Sequence, residues 1–428
     1  MSVELEFEWI DAPPCPDWTE WRTMAAFSIK AGSSTVTSVL DNRSHLHRNH
    51  VVVPLLHVAE WLVANWWHLW HEFEDRRLQR PGFSARHNLA TAGDGFLLPQ
   101  LEVVPLSSRV ELRWQRWKPR YSQIEFIGEG EIRVERAELE NQLRNIVDAV
   151  LERLRESNEG ALARDALESA WDAIHGLDAD EREFSRAAAL LGMDPFDITE
   201  SDADRIARFW DEVDPEIREE ALASSTTDTL SKVREWLQKA LHSLGQLQGD
   251  PRWDGLRAEL PPPSTAEPWE QGYELARSAR HQLGLGGERV DFGSDGTPSC
   301  YHEVAEQPSR CLEGLVAAHG PACVIAPRSE NGARFLRARA VGDYLSRSGP
   351  AAGILNSLHT ERQARSRAFA AEFLAPAQAL QARLGSELAD EETIENLGDE
   401  FGVSSHVIAH QMINHQLGTP LLGDLYRT

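Results

Sequence analysis

Four cysteines in 428 residues, Cys15, Cys300, Cys311 and Cys323, are too few and too scattered for a disulfide framework. With no C-x-x-C pair there is no zinc ribbon either, and reduced thiols in a cytoplasmic protein are the expectation. Also missing are G-x-x-x-x-G-K-[ST], G-x-G-x-x-G and G-x-S-x-G, so P-loop hydrolysis, Rossmann cofactors and serine hydrolysis lack their signatures. No cofactor is expected. No period of 20–50 residues recurs, which excludes a solenoid. The opening Met1-Ser2-Val3-Glu4-Leu5-Glu6 has neither the basic start nor the apolar stretch of a secretory leader.

What is abundant is negative charge: −25 in all. It is unevenly spread, with −3 on residues 1–130, −15 on 131–262 and −7 on 263–428. Such a surface repels a phosphate backbone, which leaves nucleic-acid contact only to a local patch or through a complex. The one basic cluster is Arg109, Arg113, Arg116, Lys118 and Arg120.

The length suits about two to four domains, and the patterning suggests an α+β multidomain chain. Residues 1–130 read as a mixed α/β domain. Val3, Leu5, Phe7 and Trp9 alternate with Glu4, Glu6 and Glu8, the period of a half-buried strand. Val110, Leu112 and Trp114 alternate likewise. One helix is predicted from Pro54 through Trp70; its His57, Glu60, Asn65 and His68 argue against a membrane span. Nine of the 14 tryptophans precede residue 118, filling a core or, with Trp66 and Trp67, lining a partner groove. Residues 131–248 read as an acidic helical module, with Leu139, Leu143, Ile146, Val147, Val150, Leu151 and Leu154 forming an amphipathic stripe. Residues 249–268, with three consecutive prolines at 261–263, are the predicted linker. Residues 269–428 form a last, mostly helical domain.

The most informative stretch lies in that last domain. It reads Arg334-Phe335-Leu336-Arg337-Ala338-Arg339-Ala340-Val341-Gly342-Asp343, followed by Gln363 and by Phe369-Ala370-Ala371-Glu372-Phe373-Leu374-Ala375-Pro376. It resembles the core of the ImmA/IrrE-type zinc metallopeptidases, R-F-x-x-A-H-E-x-G-H and then E-x-x-A-N-x-F-A-x-x-L-L-x-P. The resemblance covers about residues 269–418 and implies a zincin-like fold. Packing positions survive: Arg334, Phe335, Ala338, Gly342, Leu345, Phe369, Ala370, Leu374 and Pro376. The metal positions do not. The two ligand histidines fall on Arg339 and Asp343, the catalytic glutamate on Ala340, and the acidic third ligand on Gln363.

The chemistry points the same way without the family. Two imidazoles four residues apart on one helix face hold Zn²⁺, and a neighbouring glutamate takes the proton from its water. Arg339 instead brings a charge that does not leave, and Ala340 cannot be a base. Asp343, His359 and Glu361 are weak substitutes that no helix period joins. The expectation is a pseudoenzyme without bound metal.

Smaller signals remain. Glu392–Ala409 has the helix, glycine turn and second helix of a helix-turn-helix, although the second helix offers only Ser405, His406, His410 and Gln411 to a base edge. His45, His47 and His50 form a histidine tract without a companion ligand. Arg86-His87 and Gly93-Asp94-Gly95-Phe96 mark a loop able to bind a ligand. The reading is therefore a catalytically inactive ImmA/IrrE-like scaffold or regulatory subunit in stress, phage-response or mobile-element systems, holding a protein partner and no membrane. Its rivals are a nucleic-acid-associated regulator using Arg113, Arg116 and Lys118 with the C-terminal helix pair, and an enzyme seated around Arg86, His87 and Asp94.

Overall fold

Alternating and helical periods in the sequence reappear as several small sheets and many helices, a mixed α/β structure. The computed structural model describes residues 2–10, 19–75, 77–78, 80–156, 161–247, 251–260, 265–292, 300–304, 306–347, 349, 351–384 and 388–421. The chain divides into two units, one of residues 1–74 and 79–206, the other of 75–78 and 207–428.

The first unit opens with β1 (Val3–Trp9), α1 (Thr19–Arg22) and β2 (Met24–Ala31), followed by the short β3 (Ser34–Thr35), β4 (Val39–Asp41), β5 (Leu46–Arg48) and β6 (Val51–Pro54). After α2 (Leu55–Ala64), α3 (Trp66–His71) and α4 (Phe83–His87) come β7 (Leu101–Pro105), β8 (Arg109–Trp114), β9 (Ile124–Phe126) and β10 (Gly130–Glu135). It ends in α5 (Arg136–Arg155), α6 (Ala161–Gly176), α7 (Ala179–Leu190) and the start of α8 (Glu200–Glu212). In β1 the glutamates face out and Val3, Leu5, Phe7 and Trp9 face in, as the alternation predicts. β2 pairs antiparallel with β1 on one side and with β3 and β6 on the other; β10-β8-β7 and β5-β4-β9 are separate three-stranded sheets.

The stripe of α5 packs into this core with Val3, Phe27, Val58 and Leu112. Its Gln142 also covers the free edge of β1, accepting from the Leu5 N–H at 2.9 Å and donating to the Val3 carbonyl at 2.6 Å. A side-chain amide thus stands in for a strand, which blunts an edge open to aggregation.

Three expectations need correction here. The boundary at 130/131 cuts through β10, and Leu167, Trp171 and Ile174 of α6 lie in the same core as β1 and β2. The acidic 131–248 segment is therefore no separate module; its charge describes its solvent face, not its partners. The Trp-rich helix is two helices, because Asn65 turns its Nδ2 onto the Trp61 carbonyl at 2.8 Å and competes for the helix acceptor. Among the described residues no helix is long and apolar enough to cross a membrane. The third correction concerns the linker, in which residues 251–259 form a helix. That helix belongs to the second unit.

The second unit holds α9 (Arg218–Ala223), α10 (Leu230–Leu244), α11 (Pro251–Glu259) and α12 (Pro268–Gln282) before its sheet. In α11, Trp253 and Leu256 are buried against the unit's core. A Trp–Leu pair at i, i+3 is worth several kcal/mol of burial, enough to hold helix where composition suggests a spacer (about 2–3 kcal/mol per large apolar side chain). The prolines at 261–263 lie outside the described residues.

The sheet runs β11-β13-β12-β14, from β11 (Tyr301–Glu303), β12 (Leu312–Val316), β13 (Cys323–Ile325) and β14 (Gly353–Asn356). Only β11 and β13 are parallel. Between β13 and β14 comes α13 (Glu330–Ser346), capped by Ser329, whose Oγ accepts the Gly332 N–H at 3.1 Å. Then come α14 (Glu361–Leu374), α15 (Ala377–Arg383), β15 (Leu388–Ala389), α16 (Glu391–Phe401), α17 (Ser405–Asn414) and β16 (Thr419–Pro420).

One side of α13 packs on the sheet through Ala333, Leu336 and Ala340; the other meets α14 through Ala338 and Val341 against Phe369 and Phe373. At Gly342 any Cβ would enter the Phe369 ring, so glycine sets the close approach of the two helices. Arg334, at the start of α13, is buried and donates to the Gly402 and Val290 carbonyls, tying α13 to the turn between α16 and α17.

Candidate functional site

A helix buried on both sides must satisfy any polar group it carries. α13 carries two. Arg339 is 2% exposed, and its guanidinium is the centre of a closed network. Nη1 donates to Glu313, Nη2 to the Asn356 carbonyl at 2.8 Å and to Gln363 Oε1 at 2.5 Å, and Nε to Ser366 Oγ at 3.3 Å. Gln363 in turn donates to the Ile354 carbonyl at 2.8 Å. Positions 339 and 363, where the resemblance puts metal ligands, are thus hydrogen-bonded to each other.

Glu313 reaches Arg339 because β12 carries a bulge between Leu312 and Gly314 against β14. Bulges re-aim a side chain in this way. Its other oxygen accepts from Arg77 at 2.5 Å. Burial works to raise the Glu313 carboxyl, but Arg339 and Arg77 outweigh it and hold it below the ordinary glutamate value.

Asp343, one turn on, forms the second network. Arg362 grips it bidentately, Nε to Oδ1 at 2.7 Å and Nη2 to Oδ2 at 2.9 Å, and Arg347 also donates to it. The third nitrogen of Arg362 meets Glu220 at 2.6 Å. Burial opposes the charge on Asp343; Arg362 and Arg347 prevail and keep it ionised. On Glu220 burial prevails over Arg362 and the carboxyl is raised, Asp343 adding to the effect. Ala340 is buried against the sheet and carries no chemistry. Asp343 is therefore committed to arginines, not shared with His359 or Glu361. Among the described residues no three His, Cys, Asp or Glu side chains converge as a metal site would require, and the tract at His45, His47 and His50 is no exception.

The first unit contains a smaller polar cluster. Glu72 is fully buried at the end of α3 and accepts from Arg86 Nε at 2.8 Å and Nη2 at 2.5 Å. His87 Nε2 lies 3.3 Å from it, and His87 Nδ1 lies 2.7 Å from the Val103 carbonyl. Burial would raise Glu72, yet the bonds to His87 and Arg86 bring it down to about 2. His68, one helical turn before Glu72, is 3% exposed and neither ring nitrogen has a hydrogen-bond partner among the described residues. Burial holds its pKa down to about 4. Asp94, in a left-handed turn (φ 38°), is not among the partners of Arg86 and His87.

The other sequence candidates take structural places. Trp66 is buried edge-on against Trp70 and Trp171, at 5.5 and 4.9 Å between centroids, with Arg144 over its face. Trp67 stacks on His71 at 5.9 Å. Arg113 is held by Glu74 at 2.9 Å and by Glu111. Arg116 lies 3.5 Å from Glu125, and Lys118 is exposed. The basic stretch is therefore partly neutralised where it lies. In the C-terminal helix pair Gly402 takes the left-handed turn (φ 65°), but Gln411 is wholly buried and donates to Glu372 at 2.9 Å and the Ala375 carbonyl at 3.0 Å. It is not offered to a base edge. His406 and His410 are exposed.

Sequence reasoning missed Glu313, Arg77, Arg362 and Glu220 around α13, and Glu72 and His68 in the first unit. One signal was available: only four of the 43 cationic residues are lysine, Lys30, Lys118, Lys232 and Lys239. Arginine's planar fork suits buried, multiply bonded charge. No family model, curated protein or solved structure matches this chain.

Proposed function

We propose that the C-terminal part is a catalytically silent relative of the ImmA/IrrE-type peptidases, zincin-like in fold, and that the protein acts as a protein-binding scaffold or regulatory subunit of a stress, phage-response or mobile-element system. The observation that carries this reading is the Arg339–Gln363 hydrogen bond. Where the resemblance puts two metal ligands, a guanidinium supplies the positive charge and an amide oxygen accepts its hydrogen bond. A fixed monocation cannot ionise a water or polarise a peptide carbonyl as Zn²⁺ does. Asp343, at the remaining ligand position, is turned into the Arg362 pair. What the arrangement retains is rigid packing of α13 on α14, which suits recognition rather than bond cleavage.

Metal analysis of the purified protein tests this, together with cleavage assays on unfolded and repressor-type protein substrates. The expected result is substoichiometric zinc and no chelator-sensitive cleavage. One zinc per chain with cleavage abolished by a chelator defeats the reading.

A further inference from the structure

Two features far apart in the sequence, the histidine tract and the basic stretch, meet on the sheet β5-β4-β9. Residues opposite one another in a ladder share a face, so His47, Leu40 and Glu125 form one row. Across β9, Trp117 bridges to Phe126 and stacks on its ring at 5.7 Å. Its neighbours Arg116 and Lys118 therefore take the opposite face, where Arg116 lies 3.5 Å from Glu125. At the end of the sheet the Asn42 N–H donates to the Gln123 carbonyl at 2.8 Å, which sets the β4–β5 turn beside the turn before β9. Arg43 stands in the first turn, Arg120 and Tyr121 in the second. All four cations are exposed, and among the described residues no carboxylate lies within ion-pair distance of Arg43, Lys118 or Arg120. Asp41 alternates to the reverse face, where it accepts the Arg43 N–H at 2.9 Å. Tyr121 is 91% exposed and takes a left-handed backbone (φ 67°), an uncommon conformation for a bulky side chain. The Arg120 guanidinium lies over its ring, 5.2 Å from the centroid, and the core makes no use of it.

We propose that this face of β5-β4-β9, with its two turns, binds a single-stranded nucleic acid. Arg43, Arg116, Lys118 and Arg120 meet the phosphates, and a base stacks on the Tyr121 ring. On a chain of net charge −25, four cations gathered beside Glu125 are the local patch that such contact requires. A duplex keeps its bases from Tyr121, and an acidic peptide or an anionic lipid surface matches the charge without offering a base to stack. The site lies wholly in the first unit and stands whether or not the second is a silent relative of a peptidase.

Fluorescence anisotropy of the full chain with a labelled single strand of about ten nucleotides tests it, beside the matching duplex, polyglutamate and phosphatidylserine vesicles. The single strand should bind tightest. Its log affinity should fall with log salt at a slope of about −3, from four contacts at about −0.7 each. Arg43→Gln with Arg120→Gln should bring that slope to about −1.5. Tyr121→Ala should weaken single-strand binding roughly tenfold and leave the slope unchanged. All three side chains are exposed, so the variants keep the fold, which unchanged thermal melting verifies. Absence of binding overturns the proposal, as does duplex, polyglutamate or vesicle binding as tight as that of the single strand. So does a slope unchanged by the double variant, or an affinity unchanged by Tyr121→Ala.

Discussion

Two of the buried polar clusters are built on opposite charges. In the second unit a guanidinium, Arg339, is the hub and is ringed by acceptors; in the first a carboxylate, Glu72, is the hub and is ringed by donors. The first kind cannot be switched off by any ordinary pH, because guanidinium keeps its proton. The second has histidines in or beside it, and one of them, His68, has no hydrogen-bond partner among the described residues. The arginine cluster should therefore respond to mutation and the glutamate cluster to acid.

Breaking the arginine hub should have the largest effect. Arg339→Ala removes the buried donor shared by Glu313, Gln363 and the Asn356 carbonyl, leaving Glu313 only Arg77, and should lower stability by about 3–5 kcal/mol. Urea denaturation, with hydrogen exchange to locate the loss in α13 and α14, measures it. Arg339→Met together with Glu313→Gln removes both charges and should recover most of that loss, since a buried pair gains little over apolar packing. If Arg339→Ala is as stable as wild type, the network does not hold this unit together.

Acid should act on the first unit. His68 and His71 are both held below 6.5 by burial, so the unfolded chain binds more protons than the fold at mildly acidic pH. Their contribution is fully present above about pH 6.5 and is lost as pH falls toward the folded values, near 4 for His68. For His68 alone the loss amounts to about 3 kcal/mol. His68→Leu should flatten the dependence of the first unit's urea midpoint between pH 7 and 4 and raise it at the acid end. An unchanged slope in the variant assigns the acid sensitivity elsewhere.

How much of this was legible in the sequence follows from what sets each feature. β1 and α5 could be read because their periods report directly on burial, whereas the helices at 330–346 and 361–374 were expected from the family resemblance alone. The domain boundary and the linker could not. The acid-rich segment after residue 130 describes a solvent face, while its inner stripe belongs to the β1–β2 core. At 251–259, Trp253 and Leu256 outweigh a composition that resembles a spacer. Within the site, Arg339, Asp343 and Gln363 stood out only because the family resemblance puts metal ligands at those positions. The counter-charge of Arg339 is Glu313, re-aimed by a bulge, and the charges behind the two networks, Arg77 on Glu313 and Glu220 on Arg362, lie far along the chain and outside any local period.

A further cluster sharpens the comparison, because like Asp343 it places a carboxylate hub in the same unit as Arg339. Glu372 on α14 accepts from Arg277 on α12 at 2.9 Å, from Gln411 on α17 at 2.9 Å and from the Ala377 N–H at 3.2 Å. With three donors it stays satisfied when one is lost, so Gln411→Ala should cost only about 1–2 kcal/mol. The loss should be local. Gln411 is what pins α17 to α14, so amide exchange should quicken across 405–414 while α13 keeps its protection. Exchange that quickens equally in α13 makes α17 part of the same cooperative block as the Arg339 network. The distinction between hubs would then fail inside this unit, and packing at Gly342 and Phe369, not hydrogen bonding, would set its cooperativity.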